Sequence, residues 1–397
     1  MSTKGRPAVS RRILVARTGV AVVFGLNGLA VASWFARVPA ARDALGLTPG
    51  QLGLLLLALS AGSMVGLPTA GALTHRLGPS RAVAAATVMV AAGLGMVGAA
   101  IGPSPAVWAA GIGLFVLGYG TGSCEVAMNV EGAAVERHLG RAVMPRFHAA
   151  WSLGTVVGAG LGVGSARAGL PVVAHLGLVA AVVLVGTVLA VRTFLSAAPD
   201  PAADSAPRSG GLTAWREPRT LLIGLLVLVM AFTEGTANDW IAVAFVDGHG
   251  VTETAGVAAF GVFVVAMTFG RTFGTVALDR WGRVSVLLTS MLLAAAGSLT
   301  AVLTDSPGVA FAGVALWGIG ASLGFPLGMS AAADEEHRAA ARVSVVAAIG
   351  YTAFLAGPPL VGLLGDRLGT LRALLVVPLL LLPSLALVPA TRRPAGP

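Results

Sequence analysis

Twelve runs of apolar residues follow one another along the chain, each about twenty residues long and so able to cross the hydrocarbon of a bilayer as a helix. They fall at roughly 13–36, 50–74, 82–101, 106–130, 147–165, 172–194, 220–246, 255–278, 284–304, 307–332, 343–365 and 372–390. Soluble domains carry about 25% charged residues. This chain of 397 residues has 11%, with 56% hydrophobic residues and a mean hydropathy of +0.86. Its 54 glycines suit helices that pack backbone to backbone. The expected fold class is an all-α membrane protein whose main surroundings are the lipid bilayer. A net charge of +9 does not point to nucleic acid, because the arginines are spread singly between apolar runs. The single Cys124 excludes an internal disulfide and any cysteine-based metal site.

One polar stretch is long. "SAAPDPAADSAPRSGG" (196–211) is too poor in apolar residues to bury a core, reads as a flexible join, and divides six spans from six. The expected organisation is a cytoplasmic tail (1–12), a six-helix bundle (13–194), a cytoplasmic linker (195–219), a second six-helix bundle (220–390) and a short tail (391–397). Nineteen Lys and Arg residues fall on the side of the termini and linker, against five (Arg37, Arg42, Arg167, Arg367, Arg372) on the other. Arg17 and Arg271 lie within spans. Positive loops stay in the cytoplasm, which places both termini inside. The first span is longer than the apolar region of a signal peptide and is expected to be retained.

The two halves repeat. At an offset of 200, Gly118, Gly120, Glu136 and Trp151 meet Gly318, Gly320, Glu336 and Tyr351. Near the start of each half the offset is slightly larger: His75-Arg76-Leu77-Gly78 matches Asp279-Arg280-Trp281-Gly282, and Asn27-Gly28 matches Glu234-Gly235. A duplicated bundle places a substrate site between its halves near the midplane, with alternating access by rocking.

These residues carry a resemblance. "GALTHRLGPSR" (71–81) resembles the loop 2–3 signature G-x-L-a-D-r-x-G-r-r of the major facilitator superfamily, with Gly71, His75, Arg76 and Gly78 in its positions. "TVALDRWGR" (275–283), with Asp279, Arg280, Gly282 and Arg283, and "GLLGDRLG" (362–369) resemble its weaker echoes. The blocks "EVAMNVEGAAVER", "EGTANDW", "LWGIGASLGFPLGMSAA" and "RVSVVAAIGYTAFLAGPPLVG" are similar to the YbjJ/MosC-like branch, over all but the termini and linker. The resemblance implies the major facilitator fold, twelve transmembrane helices in two pseudo-symmetric six-helix bundles. It also implies a monomeric secondary transporter of the inner membrane. Kinship with sugar permeases implies a small polyol, sugar or amino-sugar as its solute, moved with protons. The sequence departs from the signature at His75, which replaces an aspartate, and at Pro79-Ser80, which replaces the following basic pair. In the superfamily that aspartate helps lock the outward-facing state, so the lock is expected to rest on Asp279.

A charge at the bilayer centre costs about 2.5–3.5 kcal/mol on insertion scales, so each one needs a reason. Glu234 lies near the middle of the seventh span, with Asn238 four residues on along the same face and Asp239 nearer its end. By the resemblance, spans 1, 4, 7 and 10 line the cavity, and Asn27 faces Glu234 across the pseudo-two-fold axis. Glu125 and Asn129 form a further i, i+4 pair on the fourth span. Sugar symporters of the superfamily couple protons through carboxylates on spans 4 and 1; with Asn27 on the first span here, the resemblance implies that proton coupling falls to Glu125 or Glu234. The other reading is structural: Glu234 caps a kink at Gly235 or ties its helix to a neighbour, Glu125 pairs with His148 or Arg271, and Arg271 serves structure or gating. Trp151, Trp240, Trp317, Tyr351 and Phe325 are available to stack on a sugar ring or simply to pack. Phe325-Pro326 is expected to break the tenth span.

No Walker loop, H-E-x-x-H motif or separate soluble domain is present in the sequence. The expectation is a transporter, not an enzyme, with no cofactor and no metal, driven by an ion or solute gradient. Two alternatives remain open here, an exporter of cationic drugs or metabolites and a transport-silent membrane receptor or scaffold.

Overall fold

A computed structural model of the chain describes residues 10–102, 104–141, 143–195, 211–335 and 338–392. Residues 1–9 and 393–397 of the tails, 196–210 of the linker and Glu336 of the repeat lie outside the described residues. The described chain is helical, without strands. In the first half run α1 (Arg11–Phe35), α2 (Val38–Leu45), α3 (Pro49–Leu77), α4 (Pro79–Ala100), α5 (Val107–Leu139), α6 (Met144–Arg167) and α7 (Val172–Val191). In the second run α8 (Gly211–Ala214), α9 (Pro218–His249), α10 (Glu253–Leu303), α11 (Pro307–Ala321), α12 (Gly324–Ala332), α13 (Ala339–Leu368), α14 (Thr370–Ala373) and α15 (Val376–Ser384), closed by a 3₁₀ turn at Leu385–Thr391.

Eleven stretches among the described residues are helical, long and apolar enough to cross a membrane. The longest, the 51-residue α10, is two spans, because Gly282 interrupts it with non-helical backbone at φ 75° and ψ 166°. Twelve spans result. Gly78 (φ 78°, ψ 158°) turns α3 into α4 in the same way, and Gly369 (φ 85°, ψ 147°) turns α13 into α14. This corner of backbone space is open to glycine and closed to residues with a Cβ. The signature and its echoes therefore share a shape, a one-residue reversal between two antiparallel helices.

Two local features depart from expectation. The short helix α2 fills the loop after the first span, ended by Gly46 in the left-handed conformation. Behind it Thr48 and Gln51 form a reciprocal capping box that starts α3. The tenth span breaks at Ser322–Leu323, earlier than Phe325-Pro326. Pro326 causes it: a proline has no N–H for the carbonyl four residues before it and its ring pushes that carbonyl aside, here Ser322.

The repeat is visible in the packing. Gly118 on α5 lies against Leu59 and Ser63 of α3, while Gly318 on α11 lies against Phe263 and Met267 of α10. Two residues on, Gly120 meets Val90 of α4 and Gly320 meets Ala294 of α10. A Cβ at Gly318 would stand 2.6 Å from the Phe263 carbonyl oxygen, so only glycine lets these helices touch.

The halves meet at one end. We call it the distal end, opposite the end where α1 begins. There α3 packs on α13 and α6 on α10. Gly261 on α10 faces Ala159 on α6, and Phe35 meets Phe260 edge to face at 6.1 Å. Three polar contacts join the halves at this rim. The Gly50 N–H donates to Asp366 at 3.0 Å, Arg42 donates to Asp247 at 2.5 Å, and Arg37 stands 3.5 Å from Glu253. Thr370 adds a hydrogen bond to the same Asp247. At the other, proximal end the same helices leave one another: His75 and Arg76 on α3, His148 on α6, and Thr272, Phe273 and Asp279 on α10 are exposed. The space between the halves is a vestibule, closed distally and open proximally.

Candidate functional site: the head of the vestibule

Glu234 does not stand alone in its helix. Nη2 of Arg271 donates to both of its carboxylate oxygens, at 2.8 and 2.9 Å, tying α9 to α10. The same guanidinium reaches a third partner through Nε, the Ser322 carbonyl at 3.3 Å. That carbonyl is the one Pro326 leaves without a helical donor. One arginine thus compensates an intramembrane acid and satisfies the backbone at a helix break, two groups that are costly in hydrocarbon when unpaired.

Around this pair stand groups from four other helices. Gly235 lets the Phe354 ring of α13 come close: a Cβ there would stand 3.1 Å from it. Phe354 begins a row of tilted rings with Tyr351 (6.3 Å) and Phe325 of α12 (6.0 Å from Tyr351). Glu125 on α5 is exposed and stands on the same side of the vestibule as Tyr351. It makes no ion pair among the described residues. His148 on α6 lies edge to face with Phe24 of α1 at 5.3 Å, within range of the charge on Arg271.

The sequence-predicted residues divide accordingly. Glu125, Glu234, Arg271 and Tyr351 come together. Arg271 pairs with Glu234 and not with Glu125, so Glu234 ties its helix to a neighbour and Glu125 makes no pair with Arg271. Asn129 turns its amide back to the Glu125 carbonyl on its own helix, at 2.8 Å. Asn238 and Trp151 line a cavity of about 20 Å³, which is room for one water, where α1, α6, α9 and α10 close over the vestibule. Asn27 is buried in α1, and Asp239, nearer the outer end of α9 than Glu234, is buried as well. The stacking roles for Trp240 and Trp317 are corrected: both are 0% exposed. Trp317 packs edge to face on Phe263, and in this conformation neither ring faces the vestibule. Phe354 was not foreseen; its spacing of three residues from Tyr351 on one helical face was the available signal.

The signature residues of the two halves differ. Arg283 forks onto both oxygens of Asp334 at 2.9 Å, and Arg219 joins the same carboxylate at 2.9 Å. Beside them Glu217 accepts from Arg338 and Arg342. Burial alone would raise the Asp334 carboxyl, but the hydrogen bonds from Arg283 and Arg219 outweigh it and hold it below its ordinary value. Pro79 occupies the place of Arg283 in the first half and can make no such fork. There Glu136 accepts instead from the Val143 and Met144 N–H groups. Gly71 is exposed, as are Asp279 and Arg280.

A comparison with known proteins agrees with this architecture. The chain is 32% identical to an uncharacterized MFS-type transporter of Yersinia pestis, over 99% of its own length and 100% of the relative's. It is 27% identical to the membrane protein MosC of Rhizobium meliloti, over 91% of this chain and 86% of that one. The family model described as Major Facilitator Superfamily matches residues 226–397. Among solved structures, a bacterial homolog of the human lysosomal transporter Spinster, inward-facing and unoccupied, superposes with a TM-score of 0.77 at 13% identity, over 98% of both chains. The E. coli fucose:proton symporter FucP in its outward conformation superposes at 0.63 with 17% identity, over 96% of this chain and 100% of that one. The helices, their repeat and these relatives together place the chain in the major facilitator superfamily.

Proposed function

We propose that the protein moves a small polar solute of the polyol, sugar or amino-sugar type across the cytoplasmic membrane by alternating access, linked to protons. With the termini in the cytoplasm, as the arginine distribution favours, the closed distal rim faces outward and the vestibule opens inward. The observation that carries proton linkage is the contrast between the two vestibule acids. Glu234 is compensated by the Arg271 fork. Glu125 is exposed and has no ion-pair partner among the described residues, so it is the acid at liberty to exchange a proton with the vestibule. The solute class rests on chemistry: a row of aromatic faces beside a carboxylate and a guanidinium suits a ring with one apolar face and hydroxyls at its edge.

A thermal-shift screen of polyols, amino-sugars and hydrophobic amines on the purified protein identifies the solute, since a ligand of the folded state raises its apparent stability. In liposomes, Glu125→Gln is then expected to abolish accumulation driven by a pH gradient while solute counterflow persists, because exchange needs no net proton movement. Undiminished accumulation would remove Glu125 from the coupling step. A shift with hydrophobic cations alone would transfer the protein to the exporter reading.

A further inference from the structure

Outside the vestibule, on the flank of the first half, a groove of about 520 Å³ runs between α1 and α7 near their proximal ends. Its walls carry Leu14, Val15 and Val22 from α1 and Leu189 from α7, all more than a third exposed. At its bottom Gly19 lets α1 close onto Ala190 of α7 and Thr193 just beyond it, so the groove is an open crease between touching helices. Its mouth is cationic. Arg11 and Arg12 open α1, Arg192 caps α7, and Arg17 lines the groove itself. Arg12 donates to the Leu195 carbonyl at 3.3 Å. Arg17 has no hydrogen-bond or ion-pair partner among the described residues. The acid Glu131 does not line the groove: it is fully buried and accepts the Leu195 N–H at 2.6 Å.

Depth and charge together select the occupant. At 1.5 Å per residue, Arg17 enters the bilayer about 9 Å beyond Arg11. A long stem lets its guanidinium snorkel back to the level of lipid phosphates. An apolar crease with several cations at its headgroup end is complementary to a molecule with a hydrocarbon tail and an anionic head, and a zwitterionic head would bring its ammonium against the arginines.

We propose that the α1–α7 groove binds one anionic glycerophospholipid, with an acyl chain in the crease and its phosphate between Arg17 and Arg192. The site is separate from the vestibule and does not depend on what the protein transports.

The test is native mass spectrometry of the full chain in detergent, titrated with dioleoyl-phosphatidylglycerol and, separately, dioleoyl-phosphatidylcholine. The anionic lipid is expected to bind at least about tenfold more tightly, since each nearby Lys or Arg contributes about fivefold in affinity to an anionic headgroup. Arg17→Gln is expected to weaken it about fivefold and Arg17→Gln with Arg192→Gln about twenty-five-fold, on the same scale. Arg141→Gln, an equal change of charge on the exposed loop after α5, leaves it unchanged. Leu189→Trp fills the groove without touching charge and weakens both lipids. Equal affinity for the two lipids would overturn the proposal, as would equal losses from the Arg17 and Arg141 variants. Displacement of the lipid by millimolar glycerol 3-phosphate would do so too, by showing a soluble-anion site. Should Arg17→Gln fail to insert, Arg192→Gln and Leu189→Trp carry the same comparison.

Discussion

Arg271 makes three hydrogen bonds from one guanidinium, and they answer two separate debts of the fold, a carboxylate in α9 and a carbonyl orphaned by Pro326. Removing either charge alone leaves its partner uncompensated, a loss that reaches about 3–5 kcal/mol for fully buried pairs. Both side chains keep some solvent contact, 26% for Arg271 and 15% for Glu234, so a smaller loss is expected here. Glu234→Gln and Arg271→Gln should each lower the thermal midpoint, and the double variant should fall by less than the sum of the two, a coupling of about 1–3 kcal/mol in a double-mutant cycle. Additive losses would mean the pair does not couple. At Asp334 the sign of the pH effect follows from its depressed carboxyl. Its stabilisation is complete above the ordinary value near 4 and is lost as pH falls through the lower folded-state value. The stability gap between wild type and Asp334→Asn should therefore be constant at neutral pH and narrow below about pH 4. At this scale the sequence marks which residues need an explanation, since an acid or arginine in an apolar span is conspicuous. It does not mark their pairing: Glu234 and Arg271 are 37 residues apart on different helices, and only the packing of α9 on α10 brings them together.

Helices were the most legible level, because the length of a span is set by the bilayer and its ends by charge. What composition could not place was the interruption of a span. A window of apolar residues reads straight through Ser322, and the fault one turn before Pro326 follows only when the missing donor is traced back to its acceptor. The small helix α2 was hidden for a different reason: at eight residues it is too short for periodicity to show, and its packing partner is α9 of the other half. At the distal rim the α13–α14 turn brings Asp366 to the start of α3, where it accepts from the Gly50 N–H. Negative charge is favoured at such a helix start. Asp366→Asn with Asp247→Asn should weaken the closed rim and raise the population of the outward-open form. A cysteine placed at Asn238, beneath the rim, in a Cys124→Ala background should then react faster with an impermeant thiol reagent added outside. An unchanged rate would show that the apolar contacts of α3 with α13 and of α6 with α10 hold the rim without these acids.

For the molecule as a whole, the orientation in the membrane is the expectation on which inward and outward depend. Single cysteines at Ser205 in the linker and Ser306 before α11, each with Cys124→Ala, should label from opposite sides of intact cells, Ser306→Cys from outside. Labelling of both from one side would contradict twelve spans with cytoplasmic ends. The duplication that made the two halves was readable from spaced glycines, because backbone contacts such as those of Gly118 and Gly318 tolerate no other residue. The rim was not, since its partners answer to no repeat. In all three polar contacts across it the first half supplies the donor, Arg37, Arg42 or the Gly50 N–H, and the second supplies the carboxylate, Glu253, Asp247 or Asp366. Two copies of the first half would set arginine against arginine at that seam, and two copies of the second would set acid against acid. The descendants of one ancestral bundle have thus become a lock-and-key couple. Expressed as separate polypeptides, they are expected to find each other and to refuse their own kind.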